Sequence, residues 1–483
     1  MVLFTAVKAR AARYHLSANY THRSTMQSST VAVMKLDSPI NVQKVSHTEN
    51  ATSSAPRLQC KFYLQQKNRR CGMTRRPDLE YCSVHSNLIN QDFSTSKGRR
   101  IPCPIDPRHS VWEKDVARHV RRCNTTKKNA PPVDCPWFKL NYNLKSPSPD
   151  VSCDAANEAT ILRAIPILIR CHDNRFGQTP LPLVVKNNKT LESQRFPQLP
   201  GSKKHALQQS SLIQHLVENS MIPTKNDEST AYIEFGCGRA EFSRYVNRSV
   251  FDHQLESTSE PAARSRFILI DRASNRMKFD SKFKDDLDEL YPKDTLPESR
   301  TYPVLDRKKI DIKDLYIDNL LLNGGDHPCV TISKHLCGVA TDLTIACCLN
   351  SDVLHRQSKK LRGMVIAMCC RHVCDAQQYV NQPFIEELIQ DTGISYSNFF
   401  NSLKKIASWA VCGRKAGVQD SDVNNHFTNL PVLEREKLGE KARRIIDEGR
   451  AEHLRRHGYR ATLIRYIEPA ISLENVAMIV NRE

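Results

Sequence analysis

The sequence predicts an α/β fold: a doubly wound parallel sheet over residues 203–483, preceded by two small modules built around Cys and His side chains. Three observations predict it. From about Lys203, short apolar runs alternate with amphipathic stretches. Between residues 57 and 125, Cys and His recur at short, regular spacings. A glycine turn, Gly236-Cys-Gly238, follows the first apolar run of the C-terminal part. Strands that alternate with helices imply parallel pairing, because each crossover needs a helix to return the chain to the same edge.

The predicted strands are Ala231–Phe235, Arg266–Ile270, Cys329–Ile332, Met364–Met368, Ala461–Tyr466 and Ala477–Val480, and the clearest helix is Leu433–His457. A chain of 483 residues suits two or three domains. Residues 1–56 read as a disordered segment. Residues 57–90 and 100–125 each hold one Cys/His cluster. Residues 126–202 read as a connector, rich in Pro131-Pro132, Ser146-Pro-Ser-Pro149 and Pro180-Leu-Pro182, with one apolar patch at Ile161–Ile169.

The formal charge is +19, and it is concentrated. Residues 57–128 hold 17 Lys and Arg against 6 Asp and Glu, a net of +11. Basic density of this kind faces phosphates or serves as a solvated linker. No apolar run approaches the ~20 residues that span a bilayer, so no membrane role is expected. Seventeen cysteines without a hydrophobic signal-peptide core point to a reducing compartment and to metal ligands or free thiols. Residues 1–36 carry Lys8, Arg10, Arg13, Arg23 and Lys35 with no acid before Asp37. That resembles a mitochondrial transit peptide. The favoured alternative is a disordered tail on a protein of the cytoplasm or nucleus.

Cys60, Cys71, Cys82 and His85 form the first cluster, closed by the short pair Cys82-Ser-Val-His85. Cys103, His109, His119 and Cys123 form the second. The composition of Glu113–Arg122 is helical, so His119 and Cys123, four apart, share a face. Four soft N/S donors suit a closed tetrahedral Zn2+ site, and segments this short depend on the metal to fold. The alternative is scattered thiols and surface histidines. The second cluster resembles the CHHC finger of minor-spliceosome and other RNA-handling proteins. A CCCH cluster followed directly by a CHHC finger resembles the start of a eukaryotic tRNA methyltransferase family, which methylates the 2′-oxygen of nucleotide 4 in the tRNA acceptor stem.

In Tyr232-Ile-Glu-Phe-Gly236-Cys-Gly238-Arg-Ala240-Glu-Phe242 a strand runs through a glycine turn into a helix, letting the backbone approach a nucleoside-bearing ligand. Glu241 stands where a dinucleotide fingerprint has its third glycine, which disfavours a pyrophosphate. Glu234 is placed to pair with the amino-acid end of S-adenosyl-L-methionine. Asp271 ends the second strand, placed for the ribose hydroxyls or as an N-cap, with Asn247–Arg264 read as a polar insertion before it. Asp311 is a candidate acceptor for the adenine amino group, or a solvated acid.

The resemblance covers about residues 203–483, in blocks at Lys204–Gln209, Ile270–Asp280, Ser333–Asp342, Ser408–Gly413, Ile446–Arg450 and Leu473–Val476. It implies a Rossmann-like S-adenosylmethionine methyltransferase domain acting on tRNA. Two departures stand out. The family usually has a third glycine where Ala240 stands, and its Cys-Cys-His-His-Arg-Cys-Asp-Trp block appears as Cys369-Cys-Arg371-His372-Val373-Cys374-Asp375-Ala376.

Methyl transfer needs alignment and a proton acceptor. In this fold the acceptor faces the end of the fourth strand, occupied here by Ser333-Lys334-His335. His335 is the first choice for general base, with Lys334 orienting the oxygen or serving as base when desolvated. The alternative is that His335 ties down a loop. Cys337, Cys369, Cys370, His372 and Cys374 read as small apolar groups at a strand end, or as a third metal site. A non-catalytic zinc-finger RNA-binding protein with a degenerate Rossmann domain, or a methyltransferase of another RNA, is the competing function. No protein partner is expected.

Overall fold

The computed structural model describes residues 58–64, 69–82, 85–86, 94–95, 98–105, 110–123, 135–223, 229–257, 265–275, 278–290, 302–322, 327–411 and 417–483. The readings of residues 1–56 and of His109 lie outside these. The chain divides into two compact units, one ending at Val116 and the other beginning at Ala117.

In the first unit, Tyr63–Leu64 pairs antiparallel with Arg69–Arg70. Ser94–Thr95, Gly98–Pro102 and Ser110–Trp112 form a three-stranded antiparallel sheet. The expected helix after Trp112 is a 3-10 turn, Glu113–Asp115, continued across the division between the units by the α-helix Val116–Arg122.

The second unit is built on seven strands: β1 Ala231–Phe235, β2 Arg266–Asp271, β3 Val304–Lys309, β4 Cys329–Cys337, β5 Leu361–Cys369, β6 Tyr459–Arg465 and β7 Val476–Arg482. They lie in the order β6-β7-β5-β4-β1-β2-β3. Alternate residues feed opposite cores: Ile233, Phe235, Ile268 and Ile270 face one side, and Tyr232, Phe267, Leu269 and Ile332 the other. Burial on both faces explains why these strands read as continuous apolar runs.

Two features depart from the expectation. The sheet is mixed, because β7 runs antiparallel to both β5 and β6. Residues 466–475 between β6 and β7 hold no helix, and a connection that short turns the chain back on itself. Strand β3, Val-Leu-Asp-Arg-Lys-Lys, was not expected at all. It is an edge strand paired only with β2. Such edges carry charge, which blunts further pairing and hides the strand from an apolar search.

Residues 135–202, read as a connector, pack into the second unit. Helix α1, Glu158–Phe176, is capped by Asn157, whose Oδ1 accepts the Thr160 N–H at 2.9 Å. It buries Ile161, Ala164, Leu168 and Cys171, a stripe at helical spacing. The stripe meets Phe399, Phe400, Leu403, Ala442 and Ile446 in a third core. Helix α2 is Lys204–Glu218 and α3 is Glu241–Ser257. The first part of the expected polar insertion, through Ser257, is therefore helix. Helices α4 Val339–Asn350, α5 Tyr396–Ala407 and α6 Val432–Arg455 complete the layers used below. Among the described residues no helix is long and apolar enough to cross a membrane.

Candidate functional site

Strand order reverses at β1 and β4: β2 and β3 lie to one side, β5, β7 and β6 to the other. A crevice opens outside the carboxyl ends of strands at such a switch point, and ligands of doubly wound sheets bind there. Both segments singled out in the sequence end at it, the glycine turn after β1 and Ser333-Lys334-His335 on β4. Ser333 ties them together, its Oγ donating to the Phe235 carbonyl at 2.7 Å.

The glycine turn needs its glycines. Gly236 and Gly238 have φ of 68° and 52°, and a Cβ on Gly238 would project into open space rather than into protein. The turn therefore offers bare backbone to the crevice. Ala240 has φ of 62° in the same turn, a left-handed conformation that costs alanine about 1–2 kcal/mol.

Asp271 fastens the turn. Its Oδ2 accepts the Gly238 N–H at 2.8 Å and its Oδ1 accepts the Ala273 N–H at 2.7 Å. The carboxylate is partly exposed and keeps lone pairs for a further donor. Glu234 sits deeper than expected, at 3% exposure, with Oε2 accepting from both Ser243 Oγ at 2.5 Å and Ser243 N at 3.3 Å. Burial pushes it up to about 7 against those two hydrogen bonds. It anchors the first turn of α3 beneath the crevice. Asp311 caps the 3-10 turn Ile312–Asp314, accepting the Lys313 N–H at 3.2 Å.

Sequence reasoning missed Arg307, on the unexpected strand β3. Its Nη1 donates to the Gly238 carbonyl at 2.9 Å and to Cys237 Sγ at 3.0 Å, while Nε and Nη2 grip Asp280 at 2.8 and 2.6 Å. Asp280 lies in a block already marked by resemblance, and that was the available signal.

The β4 side of the crevice brings three basic side chains together. Lys334 Nζ lies 2.9 Å from His335 Nε2 and 3.2 Å from His205 Nδ1, and the two rings stand perpendicular with centroids 6.1 Å apart. His205 opens α2, inside another marked block with no role assigned from sequence. Between Ala367/Lys334 and Met368/Leu336 the β4–β5 register slips, and His335 takes φ of 65°. A bulge of this kind re-aims a side chain next to a functional crevice. Burial pushes Lys334 down to about 8, partly offset by the Glu241 carboxylate. Desolvation at the strand end, then the Lys334 charge, holds His335 down at about 4, although the residue is exposed overall. The Lys334 charge is also the first cause lowering His205. Arg195, from the segment read as a connector, pairs with Glu241 at 3.0 Å and so supports this side.

The altered cysteine block has a structural account at Arg371. Its guanidinium is wholly buried and held by Asp447 at 2.6 Å, Glu474 at 2.7 Å and the Met368 carbonyl at 2.9 Å. Next to it, Arg450 binds Asp342 at 2.6 Å and the Gly338 carbonyl at 3.2 Å. The separate blocks Ser333–Asp342, Ile446–Arg450 and Leu473–Val476 thus meet in one buried network under the ends of β4 and β5. Ala376 is buried at 1% in the third core. His372 and Val373 are exposed, and Cys374 points to Arg450 Nη2 at 3.1 Å, away from the other thiols of the block.

Cys60, Cys71, Cys82 and His85 are all buried, with ligand atoms within 4.8 Å of one another. His85 Nδ1 stands 3.5 Å from Cys60 Sγ and 3.4 Å from Cys82 Sγ, and Phe62 stacks on its ring at 4.0 Å. The Cys82 N–H donates to Cys60 Sγ at 3.2 Å, as suits a thiolate. The donor set fits zinc. Cys103, His119 and Cys123 likewise bring their ligand atoms within 4.8 Å. His109, the expected fourth ligand, lies outside the described residues.

The family model described as methyltransferase TRM13 matches residues 207–481. A CCCH zinc finger in TRM13 protein matches 58–86, and a U11-48K-like CHHC zinc finger matches 100–124. The tRNA:m(4)X modification enzyme TRM13 of Eremothecium gossypii is 43% identical over 433 residues, covering 88% of this chain and 95% of that protein. Its namesake in Saccharomyces cerevisiae is 41% identical over 468 residues, 88% and 96% of the two chains. The one in Schizosaccharomyces pombe is 33% identical over 399 residues, 81% and 98%. With both fingers and the catalytic region matched in order, the chain belongs to the TRM13 methyltransferase family.

Proposed function

We propose that this chain methylates the ribose 2′-oxygen of nucleotide 4 in the acceptor stem of tRNA, using S-adenosyl-L-methionine. The observation that carries the reading is the juxtaposition at the switch point: an open glycine turn follows β1, and on the neighbouring β4 the Lys334 amine is held between two imidazoles. The relatives are named as tRNA modification enzymes, which supports the substrate class.

The residues present fit the cofactor. Gly236 and Gly238 let its nucleoside approach the backbone, Asp271 accepts from the ribose hydroxyls, and Asp311 lies beyond the end of β3, where an adenine amino group can be met. Glu234, buried and bonded to Ser243, supports the turn from beneath instead of meeting the cofactor in open contact. When bound, S-adenosylmethionine supplies an electrophilic methyl group. The fingers hold zinc through Cys60, Cys71, Cys82 and His85, and through Cys103, His109, His119 and Cys123, and present the +11 segment to RNA phosphates.

Lys334 replaces His335 as the better proton acceptor. A neutral amine has two N–H bonds and one lone pair. With His205 protonated on Nε2 and His335 on Nδ1, both imidazoles accept from Nζ and leave the lone pair for the ribose hydroxyl proton. A base near 8 is matched to physiological pH, whereas His335 Nε2 is already engaged. His335 and His205 then position Lys334.

The test is direct. Purified chain, unmodified tRNA and methyl-labelled donor are combined and the labelled nucleotide is mapped. The expected product is a 2′-O-methylated nucleotide 4; label on a base, at another position, or on no tRNA overturns the reading.

A further inference from the structure

Among the described residues, three groups of Cys and His bring their ligand atoms within 4.8 Å of one another. Two are the finger sets. The third is Cys337, Cys369 and Cys370, in the second unit. Cys337 and Cys369 end the adjacent parallel strands β4 and β5 directly across from each other, with sulfurs 2.8 Å apart. Cys370 follows with a left-handed backbone, φ 45° and ψ 52°, which few residues other than glycine adopt. Glu474 holds it there, its Oε1 accepting the Cys370 N–H at 2.9 Å. Arg371 and Arg443 fix Glu474 in turn, each at 2.7 Å to Oε2. The buried ion-pair network therefore locks a strained residue whose thiol meets the other two.

We propose that Cys337, Cys369 and Cys370 form a three-thiolate site for a thiophilic divalent cation of the zinc class. Soft sulfur donors select such ions over magnesium or calcium. No fourth His, Asp or Glu among the described residues joins the group, and both Glu474 oxygens are engaged. The site is thus unlike the closed fingers: three protein ligands leave one position for water or an incoming oxygen, the pattern of open zinc sites. Cys337 is exposed, so the ion has a way in. Zinc–sulfur bonds of ~2.3 Å set a tetrahedral edge of about 3.8 Å, so loading parts the Cys337 and Cys369 sulfurs by about 1 Å. Binding breaks only S–H bonds and releases their protons to solvent. The ion would clasp the ends of β4 and β5 just beyond Lys334 and His335, fixing the bulge that aims them.

The experiment uses the full chain, purified under reducing conditions without chelator, and reads zinc per chain. The wild type should carry about three ions, two in four-donor fingers and one here, and Cys337→Ser and Cys370→Ser about two each. After cobalt exchange, thiolate-to-cobalt charge-transfer intensity should fall in both variants, with finger signals retained. A wild-type chain with only two ions overturns the proposal, whatever the variants do. So do unchanged counts in the variants, or peptide mapping that finds Cys337 and Cys369 joined as a disulfide.

Discussion

In the first finger the buried cluster consists of Cys60, Cys71 and Cys82, flanked by Phe62 and Tyr81. In the second unit, two cores of Ile, Val, Leu and Phe pack on either face of a seven-stranded sheet, and a third joins α1, α5 and α6. The finger's core is its ligand set, so its shape and its metal are one equilibrium. The sheet's core contains none of the crevice side chains Asp271, Lys334 and His335. Chemistry in the second unit can therefore be altered with the fold intact, whereas a ligand change in the finger alters the surface it presents.

The largest expected effect tests the chemical half of that contrast. Lys334→Ala should slow single-turnover methylation by about 100- to 10,000-fold, with cofactor affinity and thermal stability little changed. In the wild type the rate should climb about tenfold per pH unit below 8 and level off above, because only the uncharged amine accepts a proton. His205, His335, Glu241, Arg195 and Glu234 all bear on that inflection. His335→Ala should cost less. If His335→Ala is the slow variant and Lys334→Ala is not, the base is the histidine expected from sequence.

Arg371→Met separates structure from chemistry. Removing this guanidinium leaves buried Asp447 with Arg450 and partly buried Glu474 with Arg443, at a cost of about 3 kcal/mol in chemical denaturation. Arg371→His, which keeps a hydrogen-bond donor, should cost less. Asp271→Ala removes an acceptor from Gly238 and Ala273, and with the ribose contact proposed above calorimetry should show S-adenosylmethionine binding weakened by about 1–3 kcal/mol. The smallest effect belongs to Ala240→Gly. Relief of a positive φ, set against added freedom in the unfolded chain, should stabilise by up to about 1 kcal/mol, read as a small rise in Tm.

Where burial on both faces writes an apolar run, the strand was legible. Ala231–Phe235 was placed to the residue. Strand β3 was not legible, because Asp306, Arg307, Lys308 and Lys309 give it the composition of a surface loop. The antiparallel β7 was legible as a strand but not in direction, which depends on the helix-free connection before it. Ligand spacing marked the fingers, since chelation constrains sequence locally. Lys334 and His205 converge from β4 and α2, more than a hundred residues apart, so their pairing exists only in the fold. Glu234 shows the opposite case: its position beside the turn was foreseen, but its bonds to Ser243 were not.

The central claim is that the fingers grip RNA while the second unit performs the chemistry. Cys71→Ser in the full chain tests it most directly, by measuring the single-turnover rate across a range of tRNA concentrations. The half-saturating tRNA concentration should rise about tenfold or more, because phosphate contacts are lost, with the rate at saturation within about threefold of wild type. A saturating rate that collapses while half-saturation stays put would contradict it.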